Sequence, residues 1–332
     1  MAHLITTQSP ADWQKLTYAN NLAALSVIEW EALQPDEHLI WMTDTTATAR
    51  CSVWRTSLPA QSDRQPAAIG HFEATSTEAG AALLQAAAQH LQNQGCPELI
   101  GPINANTWHK YRLVTQRGQR PPFFLEPEHP DYYVDAWAQA GFRPMADFHS
   151  ASMPPQLATD PRLERVEARL HALGVRIRNI DTNNFTDDLR KFYSVARISF
   201  ADNLLYTPIS EGAFLALYEP IRPYIQPDFV WLAELDGACI GFCFCIPDLL
   251  QAQSGQPTDT LIVKSLATLP DRAYAGLGLW LTQIAHQAAG AADFTSVIHA
   301  LMHPGSRIKH FGKGEMDTFR HYTLFHRPLS PT

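Results

Sequence analysis

The 332-residue chain has no C-x-x-C pair, no excess of basic residues and no long uninterrupted apolar run. Each absence closes off a class. The five cysteines, Cys51, Cys96, Cys239, Cys243 and Cys245, are odd in number, and three of them crowd one apolar stretch. They read as buried reduced thiols of a cytoplasmic protein. A formal net charge of −8 and a pI near 5.9 offer phosphates no general basic field, which argues against nucleic acid and anionic membranes as partners. The longest uncharged stretch, 273–292, is interrupted by Thr282, Gln283, His286 and Gln287, so no membrane span is expected. The opening MAHLITTQSPADW lacks the basic-then-apolar order of a secretory signal.

Hydrophobic residues make up 45% of the chain and charged residues 17%, the composition of a globular protein with ample core. The length points to two domains. Two stretches say much the same thing. HLIWMTDTTATARCSVW (38–54) and DFVWLAELDGACIGFCF (228–244) each carry an apolar run with a tryptophan, an acidic turn and a second run, the pattern of a β-hairpin. Asp236-Gly237 is the stronger turn signal. A third apolar run follows in each, AAIGHFEA (67–74) and LIVKSLAT (261–268), then a helix-like segment (78–95 and 276–292), then a fourth run (98–103 and 295–302). In the second helix Leu277, Leu281, Ile284 and Ala288 recur at helical spacing. An offset of about 190 to 200 residues is too long for a solenoid and fits two domains of one fold. The expected division is residues 1–155, a linker at 156–175 within the proline-opened, charged stretch 154–181, and residues 176–332.

The stretch SLATLPDRAYAGLG asks what faces its glycines. A helix start exposes N–H groups and partial positive charge, and glycine there lets an anion approach the backbone. A P-loop would need lysine and a hydroxyl after Gly278, and a dinucleotide turn would need glycine where Leu281 stands, so both are excluded. The stretch resembles the central motif of the GNAT superfamily of acyl-CoA-dependent N-acyltransferases, with Pro270, Arg272, Gly276 and Gly278 in place. Arg272 falls one position before the family's Arg or Gln, at Ala273.

The resemblance implies a mixed α/β fold: two GNAT-like domains, each a mostly antiparallel sheet flanked by helices. It further implies that acetyl-CoA or a longer acyl-CoA lies with its pantetheine along Leu266, Ala267 and Thr268. The pyrophosphate would rest on N–H groups from Tyr274 through Ala275, Gly276 and Leu277 to Gly278, with Arg272 nearby. The first-half junction, EATSTEAGAALL, has no Gly-x-Gly, and Thr75 with Glu78 has capping-box spacing, so one cofactor site is expected, in the second half.

Amide formation needs a base, an oxyanion donor and a proton for the thiolate. Strand 266–268 lacks the family's glutamate, and His299 is the nearest replacement base. Tyr322 is the expected acid, with Tyr206 and Ser306 as further candidates and Lys309 and Lys313 as partners for the nucleotide phosphate. In the first half, loops holding Asn104, Asn106, Trp108, His109, Tyr111, Tyr132 and Tyr133 suggest substrate walls, with Asn104, Trp108 and Tyr206 taken as acceptor-binding. His299 and His303 would need a helix to share a metal, and Pro304 follows them, so no metal is expected. The expected function is transfer of an acetyl or longer acyl group to an acceptor that is a small-molecule amine or an amino-acid-like molecule. The alternative is a non-catalytic acyl-CoA-binding or regulatory protein, and oligomeric state is left open.

Overall fold

The hairpin patterns fold as hairpins. In this computed structural model, which describes residues 1–60, 65–157, 160–303, 305 and 316–329, strands β3 (Glu37–Thr43) and β4 (Thr46–Trp54) pair antiparallel, as do β10 (Val230–Leu235) and β11 (Ala238–Pro247). Asp236 and Gly237 both take positive φ, 51° and 80°, in a two-residue turn whose twist matches that of the strands it joins. Asp44 takes φ 54° at the first hairpin.

In the first half β1 (Ala2–Thr7) pairs with β3, and the short β2 (Thr17–Tyr18) with β4. Helices α1 (Pro10–Trp13) and α2 (Val27–Leu33) lie between β1 and β3 in the chain. Next come β5 (Ala67–Ala74), α3 (Thr77–Asn93) and β6 (Glu98–Gly101), with β6 parallel to β5. β7 (Leu113–Gln116), α4 (Tyr132–Gln139) and β8 (Arg143–Met153) complete the half. The start of α3 is capped by Ser76, whose hydroxyl accepts from Ala79 N–H at 3.2 Å. The cap therefore lies one residue later than the expected Thr75, because Thr75 continues the strand by donating its N–H to Thr48.

The second half repeats the order. α5 (Leu163–Leu173), β9 (Arg176–Asn179), α6 (Phe185–Ser199) and α7 (Glu211–Tyr218) precede the β10–β11 hairpin, and α8 (Leu249–Gln253), β12 (Thr260–Thr268), α9 (Leu277–Ala291), β13 (Ser296–Met302) and β14 (Asp317–Pro328) follow it. β11 is buried on both faces. Ile240, Cys243 and Cys245 pack with α5 and α9, whereas Phe242, Phe244 and Ile246 pack with α6 and α7. This is why the stretch reads as continuously apolar rather than alternating. All five cysteines are free of disulfides, Cys96 alone being only part-buried.

The halves exchange strands. One continuous sheet runs β1-β3-β4-β5-β6-β14-β8-β13-β12-β11-β10-β9. β14, from the second half, pairs with β6 and β7 of the first, and β8, from the first, pairs with β13 of the second. β14 and β8 also pair with each other from Asp317↔Ser152 to His326↔Arg143. The expected linker is no free connector, since α5 falls within it and packs on α9. Among the described residues no helix is long and apolar enough to cross a membrane.

Candidate functional site

β12 and β13 run parallel and in register only from Thr260↔Ser296 to Val263↔His299. Beyond that point they part. β12 continues to Thr268 while keeping β11 on its other side, from Ser265↔Phe244 to Thr268↔Gly241. The backbone groups of 264–268 that point away from β11 thus face a gap among the described residues. β13 is turned aside by a bulge between His299 and Met302, where Leu301 holds φ 57°. The sequence-predicted Leu266, Ala267 and Thr268 line this open edge.

At the far end of the gap lies the glycine turn. Gly276, φ 88°, caps α9, and a Cβ added there would stand 2.8 Å from both methyls of Val166 on α5. Glycine is required at that position by α5 as much as by any ligand. Around Gly278, by contrast, the nearest side-chain atoms are Leu266 Cδ2 at 3.8 Å and Thr268 Cγ2 at 3.9 Å, so this glycine faces room at the head of the strand.

The expected run of donors is narrower than the sequence suggested. Tyr274 N–H already donates to Asp271 O and Ala275 N–H to Arg272 O, within a 3-10 turn capped by the Asp271 carboxylate on Ala273 N–H at 2.8 Å. Arg169 of α5 donates to the carbonyls of Ala273 and Ala275. What remains is the first turn of α9, where Leu277 and Gly278 present N–H groups that a helix leaves without intrahelical acceptors.

His299 is 2% exposed and stacks on His286 of α9, with planes 19° apart and Nε2 to Nε2 at 3.0 Å. Burial pulls the His299 pKa down to about 4 and that of His286 to about 2, the latter also through its neighbour. Both are neutral at pH 7, and one Nε2–H is shared between them. The imidazole lies where the gap begins, under α9.

Tyr322 is fully buried on β14. Its hydroxyl donates to the Glu126 carboxylate and lies 2.9 Å from Ser150 Oγ, which in turn accepts from Leu301 N–H at 3.0 Å. Arg320 Nε approaches Glu126 at 2.9 Å. Burial raises the Tyr322 pKa and, against the pull of Tyr322 and Arg320, that of Glu126 as well. A hydrogen-bonded chain from the β8–β14 seam therefore ends at the β13 bulge.

Two residues not singled out as site residues stand at the head of the gap. Lys264 is the first β12 residue beyond the last paired position, and Arg112 of the first half reaches across to donate to Leu301 O at 3.3 Å.

The predicted acceptor residues fall elsewhere. Asn104 fills the first half's own gap: β5 and β6 pair only at Ala67↔Leu99 and Ala68↔Ile100, after which Ile103 N–H donates to Ile69 O and Asn104 Oδ1 accepts from His71 N–H, both at 2.8 Å. A Cβ on Gly70 would meet Ile103 O at 2.4 Å. Trp108 and Tyr206 meet edge to face, centroids 5.9 Å apart, beside Phe200 and Phe214. Trp108 Nε1 donates to Thr207 O and Tyr206 OH to Arg197 O, so this pair joins the first half to the α6–α7 layer. Ser306, Lys309 and Lys313 lie outside the described residues.

Comparison with known proteins follows the same lines. No family model matches the chain. In sequence it is 24% identical over 226 residues to Protein YghO of Escherichia coli K12, covering 65% of this chain and 57% of that protein. It is 23% identical over 192 residues to the bacterial ceramide synthase of Caulobacter vibrioides, covering 55% and 49%. The chain thus spans about half the length of the curated relatives it matches. In structure it resembles a tandem GNAT protein from the clavulanic acid biosynthesis pathway, TM-score 0.52 at 9% identity over 100% of both chains. At that identity the likeness is one of fold.

Proposed function

Proceeding from the tandem GNAT fold that this chain carries, we propose that its second half binds acyl-CoA and transfers the acyl group to an amine. The observation that carries this reading is the edge of β12 at 264–268, which no described residue pairs on the side facing β13 and which ends beside the open approach to Gly278. A pantetheine amide chain is a strand-like partner for such an edge, and a pyrophosphate is the natural ligand of free helix N–H groups. The residues proposed to hold it are Leu266, Ala267, Thr268, Gly276, Leu277 and Gly278, with Arg272 beside the turn. Tyr274 and Ala275 contribute shape, their N–H groups being engaged.

In the reaction, the amine nitrogen forms a bond to the thioester carbonyl carbon, and the C–S bond breaks with its electron pair going to sulfur. The amine's proton ends on that sulfur, giving an amide and free coenzyme A. An N–H of β12 is proposed to serve the oxyanion. His299 is proposed to relay the amine's proton, neutral at pH 7 because of its burial. Tyr322 is proposed to supply the thiolate's proton through Ser150 by turning its hydroxyl from Glu126 to Ser150, and to regain a proton from solvent as His299 gives up the amine's, so that the net transfer is from nitrogen to sulfur. The name of one sequence relative, bacterial ceramide synthase, agrees with N-acylation as the reaction type and makes long-chain acyl-CoA a donor to test beside acetyl-CoA.

A second reading, a non-catalytic acyl-CoA-binding protein, is favoured by one fact: both proton-transfer groups already have partners, His299 in His286 and Tyr322 in Glu126. The test is thermal unfolding with coenzyme A, acetyl-CoA and hexadecanoyl-CoA, followed by thiol release with a panel of amines. Stabilisation with release supports the enzyme, and stabilisation without release supports the binder. No shift with any of the three overturns both. His299→Ala is expected to slow release while leaving the acyl-CoA shift in place, and unchanged release would remove His299 from the mechanism.

A further inference from the structure

A buried cation ordinarily has a carboxylate beside it, because taking a charge out of water is costly unless it is paired. Arg112 departs from this. It is 7% exposed, its Nε has no hydrogen-bond partner, and among the described residues no carboxylate pairs with it. Its guanidinium is packed against the ring of Tyr111 at 3.9 Å and that of Phe148 at 4.1 Å, two rings that are themselves perpendicular. These aromatic faces fix the plane of the fork without neutralising it. The backbone is held in an unusual state to place it there, with Arg112 at φ 68° and Arg112 N–H donating to Pro102 O at 2.8 Å.

Lys264, the first β12 residue beyond the pairing with β13, lies near enough to Arg112 to feel its charge. The lysine is the one charged residue of β12, is partly buried, and makes no hydrogen bond or ion pair with any described residue. Burial, together with the charge of Arg112, brings its pKa down to about 8. Two cations that no described carboxylate neutralises have thus been brought together, one from each half, where β12 and β13 separate. No described side chain explains the pairing, but an anion from outside would.

We propose that Arg112 and Lys264 form one anion subsite at the head of the β12–β13 gap, and that it receives a carboxylate carried by one of the two reacting molecules. A planar carboxylate matches the fork geometry of arginine, with the ammonium as a second donor. The carboxylate's source is either the acceptor, which would then be an amino acid rather than a plain amine, or the far end of a dicarboxylic acyl group. The proposal rests on the second-half site being the acyl-transfer site. Anion binding itself does not require that reading.

The test uses the whole protein and two readouts. In the first, Lys264 is labelled with acetic anhydride and quantified by mass spectrometry in the presence of L-phenylalanine, phenethylamine, phenylacetate or inorganic phosphate. The two carboxylates are expected to slow labelling about ten-fold, the size of one charge-assisted contact, and phenethylamine to leave it unchanged. Arg112→Met is expected to abolish the protection. The second readout compares thermal shifts with succinyl-CoA and acetyl-CoA in wild type and Arg112→Met. A succinyl preference that the variant loses assigns the carboxylate to the acyl chain, whereas equal shifts with protection by phenylalanine assign it to the acceptor. Protection by phosphate alone, or by none of the probes, overturns the proposal. So does marked destabilisation of both Arg112→Met and Lys264→Met in the absence of any ligand, because the cations would then be structural. Protection without any acyl-CoA shift would sink the acyltransferase reading and leave the subsite standing.

Discussion

The two halves open the same kind of gap, and among the described residues only the first half fills it. In each, a central strand runs parallel to its neighbour for a few residues and then parts from it, β5 from β6 and β12 from β13. In the first half the chain refills the space itself. Ile103 and the Asn104 side chain take the hydrogen-bonding groups of Ile69 and His71, and Gly70 lets them come close. In the second half no described residue pairs with 264–268 on the side facing β13, and Lys264 stands at its head. A divergent parallel pair is therefore only a vacancy in a sheet, and the first half shows that the loop following it can take up the hydrogen-bonding groups a ligand would otherwise meet.

This contrast can be broken in order of expected effect. Gly70→Ala drives a Cβ into the Ile103 carbonyl, and a backbone obstacle cannot swing aside as a side chain does. A loss of about 3 kcal/mol is expected in denaturant unfolding, with acyl-CoA shifts unchanged once the lower starting point is allowed for. Gly278→Glu is the opposite case. Space is available for its Cβ, so the fold should be kept, while the carboxylate repels a pyrophosphate. The thermal shift with acyl-CoA, worth about 2.7 kcal/mol at a hundred times the dissociation constant, is expected to vanish. Asn104→Ala leaves the His71 N–H without its acceptor and should cost about 2 kcal/mol. If the vacated first-half gap then bound acyl-CoA as well, the plug alone would separate the two halves; the Ser76 cap leads us to expect that it does not.

The smallest expected effect is a slope. Folded His299 has its pKa lowered to about 4, below the ordinary 6.5 of the unfolded chain. The unfolded state therefore binds more protons between those values. This stability is fully present above pH 6.5 and is lost as the pH falls towards 4. His299→Gln should flatten the stability–pH curve in that window by up to about 1.4 kcal/mol per pH unit, as read by denaturant midpoints. A slope identical to wild type would mean that the pair is not buried as described.

Much of this architecture is legible in the residues. The hairpins, the third strands and the long helices fall within three residues of where alternation, Asp236-Gly237 and helical spacing put them. Local chemistry writes such elements into the chain. The strand exchange is not legible, because nothing in FRHYTLF says that its partner lies in the other half rather than beside it. The site is intermediate. The glycine turn stands out in sequence, but the need for Gly276 comes partly from Val166, more than a hundred residues away. Lys264 carried a readable signal as the only charge in an apolar strand, LIVKSLATL. Its significance depends on Arg112, which sat unremarked within the loop HKYRLV until folding brought the two together. Asn104 illustrates the converse, since an amide in an irregular loop looks like a ligand contact and serves its own backbone.

The exchanged strands also set a timetable for synthesis. β6 is made near residue 100 and its partner, the 325–328 end of β14, more than two hundred residues later. At translation rates of roughly 5–20 residues per second, the first half leaves the ribosome with one sheet edge bare and must wait on the order of ten to fifty seconds for it to be covered. During that interval β8 is likewise without either of its eventual neighbours. A nascent chain in this position presents ready edges to other nascent chains, so the architecture that unites the finished molecule makes its birth the moment of greatest exposure to misassembly.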